Sequence, residues 1–323
     1  MCAVNNADPL VSFLIASYNC ENYICEAVRS IFKQKYKNIE IIIIDDCSID
    51  NTRKLLMDTF GDRISYHRNL KNMGPAFSRN VGLGFAKGKY IGILDSDDIL
   101  YEEDHTDIAV EVMENDEDVA IFSSDFYIIN EKGSILNDFS SFYNHIDYIG
   151  TSVVTGKRNF SDLYLSGVHS CGALIRRSAI NIAGSMDVSY KIAWDCEFFL
   201  RLLGNSQSYL YYYHKPLTGY RKLSNSLSTN FIQMYSEKVR IYEQISKDYP
   251  CLKKLGSKLD KRIALQIVSL SDAYKLQKKY INAILMSLKA LIRYPPFIIF
   301  YFFSFLGVFL KKYKKTKLAL LKI

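Results

Sequence analysis

Residues 10–52 read LVSFLIASYNCENYICEAVRSIFKQKYKNIEIIIIDDCSIDNT, and the alternation inside this stretch decides the fold. Leu10–Ala16 is a short apolar run. Glu21–Lys35 sets Ile24, Ala27, Val28, Ile31 and Phe32 at helical spacing. Ile39–Ile44 is continuous and β-branched, as a strand buried on both faces is. The same rhythm continues outward. Asp50–Phe60 reads as a helix with Asp50 as its N-cap, Ile64–His67 as a strand, and Pro75–Lys87 as a helix with proline in its first turn. Tyr90–Leu94 and Val119–Ser123 read as further strands. Strands alternating with helices predict an α/β fold, a Rossmann-like, mostly parallel sheet flanked by helices, whose ligand lies beyond the carboxyl ends of the strands.

Past residue 125 the pattern is mixed. Phe126–Ile135 resembles a hairpin around Asn130–Gly133, Cys171–Ile175 a strand, Asp195–Leu203 a helix, and Ser208–Tyr213 and Leu217–Arg221 two strands. Phe231–Ser246 opens an all-helical remainder, in which Arg262–Leu276 and Tyr280–Arg293 form a helical hairpin before Pro295-Pro296. The expected organisation is a first domain over 1–228, with halves at about 10–125 and 126–228, and a helical, basic region over 229–323.

The whole chain has 323 residues, 49% hydrophobic and 23% charged, which argues against disorder, collagen and a polytopic membrane protein. Its net charge of +7 hides an asymmetry: residues 1–252 hold 25 basic and 32 acidic residues, residues 253–323 hold 16 and 2. The body is therefore acidic, which argues against nucleic acid as its partner, and the basic end suits an anionic membrane surface or an RNA, of which the membrane is the expected partner. Seven scattered cysteines with no CxxC, and an N-terminus without a basic, then apolar, leader, fit a cytoplasmic protein.

Polar residues follow three of the strands: Ser17-Tyr18-Asn19, then Asp45-Asp46-Cys47-Ser48-Ile49-Asp50, then Asp95-Ser96-Asp97-Asp98. With Asp50 set aside as a cap, five carboxylates thus meet at one sheet edge, which is costly unless a cation or donors join them. Oxygen-only ligands favour Mg²⁺ or Mn²⁺, with substrate phosphates completing the shell. Turn and cap residues are the plainer reading of the same motifs.

With NLKNMGPAFSRNVGLGFAKGKYIGILDSDD at 69–98, these elements resemble family 2 of the glycosyltransferases, of the GT-A fold, in order and spacing. The resemblance is strong over about 10–125 and weaker to about 225. It implies an inverting, nucleotide-sugar-dependent transferase. Tyr18, between Ser17 and Asn19, would stack on uracil and Asp46 would accept from the base, with Asp45 supporting the turn or simply buried. Arg79 and Asn80 would contact the nucleotide. Asp95, Ser96 and Asp97 form the DxD, the first acid facing ribose or metal and the second binding metal; Asp98 would lie behind them or cap a helix. The general base would be Asp195 in Trp194-Asp195-Cys196-Glu197, with Glu197 next and a plain N-cap after that. Trp194 replaces the family's acid, and its ring could raise the base's pKa or stack on a sugar. His169 would face the acceptor or be structural, and Arg221 of Tyr220-Arg221…Ser226-Leu-Ser228 would approach the diphosphate.

No QxxRW element occurs, which favours transfer of a single sugar, and Gly82–Gly88 ends a helix, so it is no dinucleotide fingerprint. The expected acceptor is a lipid-linked glycan of bacterial-type surface polysaccharide. The competing readings are a nucleotidyltransferase on a related fold and a non-catalytic membrane scaffold. Phe297–Leu310 carries no charge and five lysines follow by 317. As a helix it would reach about 21 Å, short of a roughly 30 Å hydrocarbon core, so an interfacial segment at the inner face of the membrane is preferred to a packing helix.

Overall fold

The computed structural model describes residues 8–140, 155–167, 169–224 and 226–297. The chain forms two compact units, Met1–Thr229 and Asn230–Ile323.

The first unit is built on one twisted sheet. Its opening half runs β1 (Val11–Ser17), α1 (Ile24–Phe32), β2 (Ile39–Asp45), α2 (Thr52–Phe60), β3 (Ser65–Arg68), α3 (Pro75–Phe85) and β4 (Tyr90–Asp95). Then come β5 (Ile99–Leu100), α4 (His105–Asn115), β6 (Val119–Ile129), β7 (Ile135–Ser140), β8 (Gly156–Arg158), α5 (Phe160–Ser166), β9 (Leu174–Arg176), α6 (Arg177–Ala183), α7 (Trp194–Ser206) and β10 (Tyr209–Arg221). The sheet order is β3-β2-β1-β4-β9-β6-β10-β5, with β7 beside β6 and β8 beside β10.

Strands β3, β2, β1 and β4 are all parallel, and so are β6 and β10. The parallel core is the consequence of helical crossovers between buried, β-branched strands. Phe13, Ile15, Ile43, Leu94 and Phe122 lie in the core with no more than traces of exposure. Helix α3 crosses β1 and β2 closely at Gly82, where a Cβ would stand 3.2 Å from Leu14 and 3.3 Å from Ile44. Gly92 of β4 leaves room for the Phe13 ring, which a Cβ would meet at 2.5 Å.

Three features depart from the local reading. β9 inserts antiparallel between β4 and β6. The strand expected at Val119–Ser123 and the first arm of the hairpin are one strand, β6, and the two late strands are one bulged strand, β10. Asp50 lies ahead of α2 and holds two backbone N–H groups, Thr52 at 3.0 Å and Glu21 at 3.0 Å, tying α2's start to the residues before α1.

The second unit contains α8 (Phe231–Asp248), α9 (Ser257–Leu276) and α10 (Tyr280–Arg293), the last two forming the expected helical hairpin. Of the apolar stretch 297–310 only Phe297 is described; the reading of that stretch, and of the lysines after it, lies outside the described residues.

Candidate active site

Parallel register sets the site. Ser17 pairs with Asp45 and Ala16 with Asp95, so the residues after β1, β2 and β4 emerge at one level of one edge. Tyr18 stands there 48% exposed. Asn19 adopts the left-handed backbone that asparagine tolerates. It cross-links two loops, donating its N–H to Ser48 Oγ at 2.9 Å and accepting from Ile49 N at 2.9 Å. Ser17 is buried, its hydroxyl 3.0 Å from Cys20 Sγ, and Ser96 also reaches that sulfur.

The two acids of the second turn have internal partners. Asp45 is fully buried, accepting from Ser48 N at 2.7 Å and Tyr66 OH at 2.5 Å, the supporting role. Asp46, also buried, accepts from Asn69 Nδ2 (2.7 Å), Met73 N (2.9 Å) and Gly74 N (2.7 Å). A carboxylate offers about four lone-pair sites. Asp46 therefore shapes the 69–74 loop with three of them and retains about one for a ligand. That anchoring role, and Asn69 as its partner, were missed in the sequence.

Around the DxD the charges are organised by two buried arginines. Arg79, 2% exposed, donates through Nη2 to Asp95 Oδ1 and lies 4.4 Å above the Trp194 ring. The Trp194 ring is buried, and Arg79 covers one of its faces. It also joins the start of α7 to the DxD edge. Arg221 is likewise turned inward, against the expectation that it meets the diphosphate. Nε donates to Asp97 O (2.7 Å), Nη1 to Asn130 O and Glu131 O (2.9 Å each), and Nη2 to Glu26 Oε2 (2.7 Å). Its backbone N–H holds Asp98 Oδ1 at 2.8 Å. Asp98 is fully buried, so burial and then the Asp97 and Asp95 charges push its carboxyl well above the usual range. The half-buried Asp97 is pushed up to about 6 by burial and then by Asp95.

Helix α7 begins at Trp194 after Ala193, so Asp195 lies inside its first turn and is not its N-cap; Asp195 Oδ1 accepts from Cys196 N at 2.8 Å. Glu197 is bound bidentately by Arg201, Nε at 2.6 Å and Nη2 at 3.0 Å. Arg201 also reaches Ala183 O, and Ser185 O at 2.8 Å. Glu197, the alternate base, is thus held in an ion pair. Asn80 is equally committed, its amide exchanging two bonds with the Met186 backbone at 2.8 and 2.9 Å rather than facing a ligand. His169 stacks on Phe126 (4.6 Å between centroids) and meets Tyr220 edge-on, while Nδ1 accepts from Cys171 N at 3.1 Å. Tyr220 OH lies 3.2 Å from Ser228 Oγ.

Among the described residues no three His, Cys, Asp or Glu side chains form a ligand set of their own. Asp95 and Asp97 nevertheless fit a hard cation: the donors are all oxygen, one Asp95 oxygen remains beside Arg79, and Asp97 is raised first by burial and then by a like charge that a cation would offset. Mg²⁺ and Mn²⁺ sites of this sort take one or two carboxylates and fill the rest with phosphate oxygens and water.

The sequence profile described as "Glycosyl transferase family 2" matches residues 12–182. An uncharacterized glycosyltransferase of Rickettsia conorii is 41% identical over 135 residues, 42% of this chain and 22% of its own length. The UDP-Glc:alpha-D-GlcNAc-diphosphoundecaprenol beta-1,3-glucosyltransferase WfaP of Escherichia coli is 40% identical over 132 residues, 41% of this chain and 51% of its own. The chain thus spans about half, or less, of these relatives. Among solved structures, the mannosyltransferase PcManGT of Pyrobaculum calidifontis, in complex with GDP-Man and Mn²⁺, superposes with a TM-score of 0.60. It is 17% identical, covering 91% of this chain and 84% of its own, a likeness of fold. No described helix is long and apolar enough to cross a membrane.

Proposed function

The chain belongs to glycosyl transferase family 2, and from that premise we propose that it moves a single sugar from a UDP-linked donor to a hydroxyl of a lipid-linked glycan, with inversion. The product would be a bacterial-type surface polysaccharide (O-antigen, capsule or lipooligosaccharide), assembled at the cytoplasmic face of the membrane. The observation that carries the reading is the register that sets Ser17 beside Asp45 and Ala16 beside Asp95, which gathers an exposed Tyr18, Asp46 and Asp97 at one edge. A UDP donor and a diphosphoundecaprenol-linked acceptor are named for WfaP, and Mn²⁺ accompanies PcManGT; both names support the proposal here.

The parts have distinct tasks. Tyr18 is a platform for the base, and Asp46 offers its remaining acceptor position to the base's ring N–H while holding the adjacent loop. Asp95 and Asp97 would hold a divalent cation, which would supply positive charge to offset the negative charge developing on the departing nucleoside diphosphate. Arg79 fixes Asp95 from behind. Asp195 takes the proton of the acceptor hydroxyl as its oxygen attacks the anomeric carbon and the bond to the diphosphate breaks. His169 lines the acceptor side.

The direct test incubates the full chain with a panel of nucleotide sugars and reads nucleoside diphosphate release. Release of UDP from one UDP-sugar, lost with EDTA and restored by Mn²⁺ or Mg²⁺, is the expected result. Pyrophosphate release instead would mark a nucleotidyltransferase, and no turnover of any donor would mark a scaffold.

A second expected outcome concerns Asp46→Ala. Losing a charged hydrogen-bond acceptor costs about 1.5–3 kcal/mol, and here the 69–74 loop loses its anchor as well. UDP affinity by calorimetry should fall at least tenfold, and unchanged affinity would remove Asp46 from the base site.

A further inference from the structure

Helix α10 keeps its large apolar residues outside. The side it turns to α9 is small: Ala283 and Ala290 are buried, and the Ser271 hydroxyl of α9 meets Ala283 O at 2.8 Å and the Ser287 hydroxyl at 2.9 Å. The other side carries Ile281, Ile284, Leu285, Leu288 and Ile292, each more than half exposed. Their spacing of three, one, three and four residues makes one continuous stripe along the helix. Single exposed hydrophobes are ordinary, whereas a contiguous stripe marks an interaction surface.

Charge selects the occupant. Residues 253–323 carry 16 basic and 2 acidic residues. Lys278 and Lys279 are exposed at the start of α10. Lys289 and Arg293, farther along, are already paired with Glu243 and Asp260. A second copy would set one strongly basic segment against another, and an anionic bilayer answers the same charge. The sequence just beyond continues the theme, with the uncharged run 297–310 and then five lysines.

We infer that the Ile281–Ile292 face of α10 is a bilayer-docking surface, seated in the plane of an anionic membrane with Lys278 and Lys279 at headgroup level. The inference rests on the proposed lipid-linked acceptor and adds to it a defined contact. Docking there would hold the enzyme in the surface where such an acceptor resides.

The test is flotation of the full chain with vesicles of phosphatidylcholine alone or with one-third phosphatidylglycerol. The wild type should float with the anionic vesicles only. The double substitution Ile284→Gln, Leu288→Gln changes exposed positions, so its melting curve should match the wild type, and its vesicle-bound fraction should fall at least fivefold. A chain lacking residues 295–323 separates the two readings. If the double variant floats as well as the wild type while the truncated chain does not, the α10 surface is refuted and membrane docking belongs to the last residues. If the wild type never floats, the membrane reading fails with it. If light scattering finds a wild-type dimer that the double variant dissolves, the face belongs to a second copy and the inference is overturned.

Discussion

Asp97→Asn should lower sugar transfer by about 10³-fold or more, the size expected when several kcal/mol of charge stabilisation is lost. The substitution keeps the shape of the side chain and the backbone carbonyl that Arg221 holds. It should not unfold the domain. Asp97 is raised to about 6, first by burial and then by Asp95. Because this lies above the value of the unfolded chain, the native state loses stability as pH rises between the two, and the loss persists above pH 6. The asparagine variant escapes it, so at pH 7 it should melt no lower than the wild type. By the same sign, Mn²⁺ should raise the wild-type melting temperature more at pH 7 than at pH 5, since the ligand must be ionised. Wild-type turnover that survives EDTA, or near-normal turnover of Asp97→Asn, would end the metal assignment.

Asp195→Asn should reduce the rate about 10²–10⁴-fold, the usual worth of a positioned base. UDP affinity should stay within about twofold, because the change removes a proton acceptor and no donor contact. Glu197→Gln serves as the control. It breaks a bidentate pair with Arg201 that also gathers the end of α6, so it should lower the melting temperature more than the intrinsic rate. A folded but inactive Glu197→Gln beside an active Asp195→Asn would exchange the two roles.

The parallel core was legible because its strands are β-branched runs separated by amphipathic helices, a pattern contained within about 30 residues at a time. The convergence of Tyr18, Asp46, Asp95 and Asp97 followed from parallel pairing alone. Less was legible where the partners are distant and carry no periodicity. Nothing local announces that Asn80 will bind the Met186 backbone, that Glu26 will meet Arg221, or that Trp194 will lie under Arg79. Trp194 looked like a defect in a motif. In place, it supports the guanidinium that fixes Asp95. The antiparallel β9 was likewise hidden, since three residues are too few to declare a direction. Helix α4 went unread as well, because polar and charged residues interrupt its apolar spacing.

The inward-turned Arg221 has a consequence for biogenesis. The family profile ends at residue 182, yet the arginine that fastens the Asp97 carbonyl, the Asp98 carboxyl and Glu26 comes from the last strand. A nascent chain that has emerged only that far already contains every acid of the donor edge and lacks the clasp beneath them. Arg79 and the 69–74 loop can already hold Asp95 and Asp46, but the Asp97 carbonyl and the Asp98 carboxyl wait for Arg221, so that turn is expected to mature late, when β10 pairs with β6. Proteolysis of stalled ribosome-bound chains would register this as a single step in protection of the Asp95–Asp98 turn once residue 221 has cleared the exit tunnel. It also means that excising the amino-terminal half as a minimal donor-binding module would yield a sheet without its keystone.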